Sequence, residues 1–462
     1  MVSEPNVEQL SSADAFEKNA SEAQSNTAVR PATPNSELRT PNSLEREAIE
    51  FITFGFAIAI LLCGFIVQPY FVPSASMAPV LLGLHKDAHC PQCHAVFPVG
   101  VDPEGQTDVD TVTCPTCGNR EVSLSDLPVS GGDQVLVWKG VYQWRPAKRW
   151  EMVVFVHPQT PRECFVKRAV GLPGESIQIK HGDVYINGEI AAKPFDQLLA
   201  MAVPVGRAAD LERPDPTSLS VVRSQNGRSF QIAAKDVDGQ PAAVRDLLSY
   251  NAGGDTWERE PIRDVVVNLD VGERVELQFR GLPGSDIRLR LEWGEAWLII
   301  GGKLVRGNAL PKSDGRRLTF AYWDGRVGAR WNGKLVFEDW PIAPEAIDRE
   351  PAMMVPLLAI ANFDHPPTNL ELLRDVYYSD RVGGLRGLGV DEPYTLGPKE
   401  YFMLGDNSAV SRDSRAWDHP GVSSDLFVGK PMLVHWPRTS ASIPGLNRFI
   451  QLPDLPKIRR LR

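Results

Sequence analysis

The strongest constraint on this chain is one uncharged run, Phe51-Ile-Thr-Phe-Gly-Phe-Ala-Ile-Ala-Ile-Leu-Leu-Cys-Gly-Phe-Ile-Val67. As a helix it would reach about 26 Å, the short end of what crosses a hydrocarbon core. The run is apolar on every side rather than along one stripe, which favours a membrane helix over a buried core helix. A cleaved leader is the other alternative, but the polar stretch ahead of the run is too long for one. Tyr70 and Phe71 follow as candidate interface anchors. Arg39 and Arg46 precede the span and no Lys or Arg follows until Lys86. That asymmetry predicts a single-pass protein with its N-terminus cytoplasmic and its bulk outside the cytoplasmic (inner) membrane.

Residues 1–47 are rich in Ser, Asn, Glu and Ala, with Pro31, Pro34 and Pro41. They cannot bury enough surface to offset ordering and are expected as a disordered tail. Over the whole chain, 43% hydrophobic against 23% charged residues suits folded domains. At 462 residues the length suggests about three of them. Lys and Arg total 49 against 58 acids, a net charge of −9, so nothing global favours nucleic acid. Six cysteines are too few for a disulfide-built fold.

After the span comes Pro73-Ser74-Ala75-Ser76-Met77-Ala78-Pro79-Val80-Leu81. Serines in a Pro-rich stretch are ordinarily turn residues. As a nucleophile such a serine needs a base and a site for the developing oxyanion. No His–Asp partnership presents itself. A lysine can serve only when neutral, which requires desolvation. Lys167, in Cys164-Phe-Val-Lys-Arg-Ala-Val-Gly-Leu-Pro-Gly174, is the candidate. Strand alternation sets it on one face with Phe165 and Ala169, and sets Arg168 on the other. A solvated surface lysine is the plain alternative.

Further motifs follow: Gly132-Asp133-Gln-Val-Leu-Val-Trp-Lys139, Arg149-Trp-Glu-Met-Val-Val-Phe155, Lys167-Arg-Ala-Val-Gly-Leu-Pro-Gly-Glu175, and Gly405-Asp-Asn-Ser-Ala-Val-Ser411-Arg-Asp413-Ser-Arg415. In this order, behind an apolar anchor, they resemble bacterial type I signal peptidases, the leader peptidase family of Ser-Lys proteases. The resemblance covers roughly residues 50–84, 128–195 and 395–437. It implies a β catalytic core behind one transmembrane helix, and cleavage of signal peptides from exported preproteins without a catalytic cofactor. It makes Ser76 the nucleophile and Lys167 the general base. Ser74 joins the Ser76 N–H as oxyanion donor, and Ser411 orients the lysine. Asp413 and Arg415 become structural support, and Met77 and Leu81 lie in shallow apolar subsites for small side chains. The departures are Val80 for a threonine, Trp150 within the usual Arg-Gly-Asp, and Ser408 where many members carry Arg.

Two segments lie outside the resemblance. Cys90-Pro-Gln-Cys93 and Cys114-Pro-Thr-Cys117 have the spacing of a four-cysteine zinc ribbon. Structural zinc is expected there, two disulfides being the alternative in an oxidising compartment. His85, His89 and His94 are substitute ligands. Between 196 and 394, alternating strands and the Asp324-Gly325 and Asn332-Gly333 turns predict β-hairpins. With their aromatics they resemble concanavalin- and laminin-G-like jelly rolls, with Trp and Tyr as sandwich core or, alternatively, platforms for a wall polymer or carbohydrate.

The expected fold is mostly β. It comprises tail 1–47, transmembrane helix 48–72, catalytic segments 73–84, 128–195 and 395–437, zinc-ribbon insertion 85–127, β-sandwich (jelly-roll-like) insertion 196–394, and basic tail 438–462. That last tail is expected solvated, with anionic head groups as the alternative contact. Signal peptides and the lipid bilayer are the expected partners. Two functions compete. A self-cleaving repressor-type protease would need an N-terminal DNA-binding domain, which residues 1–47 do not supply. A non-catalytic surface-binding protein would need an inert Ser–Lys pair.

Overall fold

The computed structural model describes residues 43–102, 109–212, 218–235, 240–246, 248–251, 260–280, 286–312, 315–342, 357–382, 384–442 and 449–461. Most of the expected tail, 1–42, lies outside them, but residues 43–47 already belong to helix α1, Ser43–Leu61. Arg46–Ile66 is long and apolar enough to cross a membrane, with mean hydropathy 2.4 and none of it buried.

The rest is mostly β. The catalytic-motif segments build one antiparallel sheet from β1 (Val67–Phe71), β2 (Gln134–Lys139), β3 (Met152–Val156), β4 (Cys164–Gly171), β5 (Glu400–Leu404), β6 (Gly421–Ser423) and β7 (Phe427–Trp436). Their spatial order is β1-β2-β7-β3-β4-β5-β6. β4 is therefore central, with Lys167 opposite Val153 on β3 and Arg168 opposite Leu404 on β5. The single alternation expected for β4 gives way to burial on both faces from Lys167 onward. One face packs with Val153, Phe155, Met403 and Trp417, the other with Val170, Phe402 and Leu404. A strand between two neighbours and covered on both sides buries successive residues.

The C-terminal segment also docks. Arg459–Arg460 pair with β7, and Arg459 donates to the Val80 carbonyl at 2.6 Å and to Asp133 Oδ2 at 2.8 Å. This corrects the expectation of a solvated tail: Asp133 is buried and supplies the counter-charge that holds Arg459.

The described residues of 85–130 form short strands around Ala88, Phe97, Val99, Val122 and Leu124, with Cys90 and Cys114 in the same cluster. Among the described residues, the long central segment forms two antiparallel sheets, of six and eight strands, that share one apolar core. The Phe279 and Phe320 rings stack between them at 4.7 Å. Both expected hairpins occur: Asp324-Gly325 and Asn332-Gly333 adopt positive φ throughout, joining Arg317–Trp323 to Arg326–Trp331 and that strand to Lys334–Pro341. A two-residue turn with positive φ at both positions matches the strands' right-handed twist.

Candidate active site

Ser76 sits in a single helical turn, Ala75–Met77, after the Pro73 entry. The segments on both sides of the turn are pinned to β2's approach: Val72 N donates to the Asp133 carbonyl at 2.9 Å, and Leu82 N donates to Asp133 Oδ2 at 3.0 Å. From the other side the Gly405–Arg415 loop holds the turn. Asn407 N donates to the Ser76 carbonyl at 3.1 Å, and Asn407 Nδ2 donates to the Ala75 carbonyl at 3.0 Å. A methyl group on Gly405 would overlap both the Ser76 carbonyl oxygen and Ser411 Oγ, so only glycine lets the two loops close together here.

Lys167 is 2% exposed, and its Nζ donates to Ser411 Oγ at 2.9 Å. Burial lowers its amine from 10.5 to about 8; Asp413 and Asp406 oppose that shift, while Arg415 adds to it. Burial would raise the Asp413 carboxyl, but Arg415 overrides it, with help from Lys167 and Ser411, and holds it below its ordinary value. Arg415 grips Asp413 at 2.9 and 2.8 Å through Nε and an Nη atom, both side chains being fully buried. A hydroxyl can accept one hydrogen bond while donating another, so Ser411 couples the lysine to the Asp413–Arg415 pair.

The structure thus brings Ser74, Ser76, Lys167, Ser411, Asp413 and Arg415 to one place. Ser76 Oγ and Lys167 Nζ, however, are not hydrogen-bonded to each other: Ser76 Oγ and Ser74 Oγ are hydrogen-bonded at 3.2 Å, with either hydroxyl able to donate. Ser74 is exposed and Ser76 half-buried. Met77 and Leu81, expected to line apolar subsites, are fully buried instead with Val72, Val135, Val137 and Met152 beneath the turn. Their sequence spacing could not separate a pocket wall from the packing under it.

Two of the three departures, Trp150 and Ser408, have structural explanations. Trp150 adopts φ 68°, the left-handed conformation that glycine favours, while its ring is buried and carries Lys193 Nζ at 4.8 Å from the centroid. Ser408 Oγ accepts from Arg415 at 2.8 Å and from Ser379 N at 2.8 Å, so a serine fills the place of an ion pair. Sequence reasoning assigned no role to Asn407 or Asp406, although both lie in a motif it singled out. Asp406 forms a buried two-point pair with Arg168, which also donates to the Trp150 carbonyl at 2.7 Å.

Two clusters have the composition of cation sites. Cys90, Cys93, Cys114 and Cys117 converge, with Sγ separations of 3.5 Å for Cys90–Cys117 and 3.6 Å for Cys93–Cys114. These are thiol contacts rather than disulfides, and they match the edge of about 3.8 Å expected for sulfurs around a tetrahedral zinc. His85 instead turns Nδ1 to the Gly83 carbonyl at 2.8 Å. The carboxylates of Asp183, Asp264 and Asp324 also lie within 4.8 Å of one another.

The family model described as signal peptidase, peptidase S26, matches residues 124–225, which include Lys167. Signal peptidase I of Leptolyngbya laminosa is 40% identical over 77 residues, 15% of this chain and 36% of that protein. Signal peptidase I V of Bacillus subtilis is 36% identical over 64 residues, 14% of this chain and 37% of its own length. The probable signal peptidase I-1 of Synechocystis is 23% identical over 186 residues, 37% of this chain and 70% of that protein. The chain therefore spans little more than a third of the first two relatives. Among solved structures, a sheep galectin-11 covers 24% of this chain and 87% of its own at 16% identity, with a TM-score of 0.17, too low to show a shared fold. Over residues 124–225 the chain is thus similar to the family described as signal peptidase, peptidase S26, and over part of its length to curated signal peptidases I, in agreement with the motif order.

Proposed function

We propose that the chain is a membrane-anchored serine endopeptidase that removes signal peptides from exported preproteins, with Ser76 as nucleophile and Lys167 as general base. The observation that carries the reading is the buried Lys167 amine, lowered to about 8 and aimed by Ser411 beside the Ser76 turn. An ordinary lysine at neutral pH is charged and cannot accept a proton; burial supplies a usable neutral fraction. Ser76 Oγ exchanges its Ser74 partner for Lys167 Nζ when substrate seats, since catalytic hydrogen bonds commonly tighten only in the complex. Lys167 takes the hydroxyl proton, Ser76 attacks the scissile carbonyl, and the oxyanion is met by the Ser76 N–H and the Ser74 hydroxyl. The leaving amine takes the proton back, and water then hydrolyses the acyl-enzyme.

The apolar helix would confine enzyme and substrate to one bilayer surface, with the N-terminus cytoplasmic and the catalytic segments outside. The four cysteines would hold a structural zinc: four thiolates complete a tetrahedral shell and leave no open position for chemistry. For the inserted sheets, read as a jelly-roll-like sandwich, a wall polymer or other carbohydrate is the ligand that exposed Trp293 supports.

The test is a preprotein-cleavage assay on the full chain in lipid vesicles. Ser76→Ala and Lys167→Ala should each lower turnover by at least about a thousandfold while melting like the unaltered protein. Turnover retained by either folded variant would overturn the assignment.

A further inference from the structure

The Asn407 amide does more than touch the nucleophile turn. Its Nδ2 donates to the Ala75 carbonyl, and that carbonyl shares a planar peptide unit with the Ser76 N–H. Fixing the Ala75 oxygen therefore fixes the direction in which the Ser76 N–H points. This works only with one orientation of the amide. If it flips, an oxygen replaces the nitrogen and faces the Ala75 oxygen with no proton between them.

What holds the amide in that orientation comes from the inserted segment. Asn251 Nδ2 donates to Asn407 Oδ1 at 2.7 Å, and Asn407 Nδ2 donates its second hydrogen to Asn251 Oδ1 at 2.6 Å. The pair is reciprocal and would survive both amides turning together, so the Ala75 carbonyl decides which way round Asn407 sits and Asn251 holds it there. Asn407 is 3% exposed, leaving little water to stand in for a missing partner. Asn251 is itself anchored through its neighbour. Tyr250 is buried, its hydroxyl donates to the Leu84 carbonyl at 2.9 Å, and its own carbonyl accepts from Gly100 N at 2.8 Å. Asn251 N closes a turn on the Leu248 carbonyl at 2.9 Å. A second hold from the insertion's far end falls on the next residue, where Ser379 N meets Ser408 Oγ.

We infer that Asn251 is a positioning residue for the peptidase reaction: through Asn407 it orients the Ala75–Ser76 peptide, so the inserted domain completes the oxyanion site. This rests on the function proposed above. The insertion is then part of the catalytic apparatus rather than an appended module, and a core lacking it would have a misaimed nucleophile turn.

The experiment is a double-mutant cycle on the full-length protein, with kcat and KM measured separately on a preprotein. Asn251→Leu keeps the bulk but removes both hydrogen bonds. It should lower kcat by about tenfold to a hundredfold with KM within about twofold, less than losing an oxyanion donor outright. The acid limb of its pH profile should stay in place, since no group around Lys167 changes. Asn251→Asp, which can still accept from Asn407 Nδ2, should recover part of the loss. In an Asn407→Ala background, Asn251→Leu should cost nothing more. Wild-type kcat in a folded Asn251→Leu, or a loss that adds in full to that of Asn407→Ala, overturns the inference alone, because the unaltered chain still cleaves and Ser76→Ala does not. If Asn251→Leu fails to fold, an Asn251→Asp protein with unchanged kcat and an intact pH profile overturns it equally. An unaltered chain without activity overturns the reading and this inference with it.

Discussion

Lys167, the proposed base, shows how little of a lysine's acid–base chemistry lies in its own side chain. Desolvation lowers its amine, Asp413 pulls the other way, and Arg415 keeps Asp413 from pairing fully with the lysine. The net value near 8 means that kcat/KM should rise with pH through that region and level off above it, because the neutral amine is the working form. A profile flat from pH 6 to 9 would contradict this. The same shift acts on stability. The folded state binds this proton less tightly than the unfolded chain, so the contribution of Lys167 grows as pH rises from about 8 to the ordinary 10.5. Trp150 poses a different balance. Its left-handed backbone costs a bulky residue about 1–2 kcal/mol, whereas removing a buried tryptophan ring costs about 3–5 kcal/mol. Packing wins, so Trp150→Gly should destabilise by about 2 kcal/mol in urea unfolding despite relieving the strain. A stabilised variant would show that the ring's contact with Lys193 carries little.

Among elements, the two cysteine knuckles and β4 illustrate opposite degrees of legibility. Each Cys-x-x-Cys closes on itself, through His94 N to the Cys90 carbonyl at 3.0 Å and Gly118 N to the Cys114 carbonyl at 2.9 Å. Such turns are local, so the spacing alone announced them. A bound metal should mask all four thiols. Adding a chelator to metal-replete protein should expose four further thiols to titration and lower the melting temperature, with about one equivalent of zinc released. No change in thiol count on chelation would end the zinc assignment. β4 was legible as a strand but not in its environment. Whether Lys167 faces water or core depends on what covers the sheet, and the cover includes Trp417 and Met403, over two hundred residues away.

At the scale of the molecule, the long central segment and the sheet that carries Lys167 meet through charge as well as apolar packing. Lys193 Nζ lies 2.6 Å from Asp375 and 3.3 Å from Asp324, all three buried. Burial, reinforced by Asp324, pushes the nearby Asp183 carboxyl up to about 7. Asp264 is raised by burial and by Asp183. This cluster borders a cavity of about 400 Å³ lined by Asp183, Asp264 and Asp375, separate from the serine turn. A carboxyl whose folded value is raised favours folding when protonated. Its contribution therefore falls as pH rises from about 4, the ordinary range, through about 7. Asp183→Asn should accordingly melt higher than the unaltered protein at pH 8, with the difference shrinking toward pH 4. A difference independent of pH would mean that Asp183 stays ionised throughout.

The amino-acid order by itself determined what depends on near neighbours. The apolar run sets the long exposed helix, the Asp-Gly and Asn-Gly pairs set their hairpins, the paired cysteines set their knuckles, and the ordered motifs mark Ser76, Lys167 and the Gly405–Arg415 loop. These are local because period, turn geometry and short spacings act over a few residues. Only the tertiary structure decided which side chains are dry and which loops touch. Met77 and Leu81 became core, Arg168 joined Lys167 inside, the C-terminal Arg459 found Asp133, and Asn251 reached Asn407 across 156 residues of chain. Burial and long-range hydrogen bonds are properties of the whole packing, and no window of sequence contains both partners.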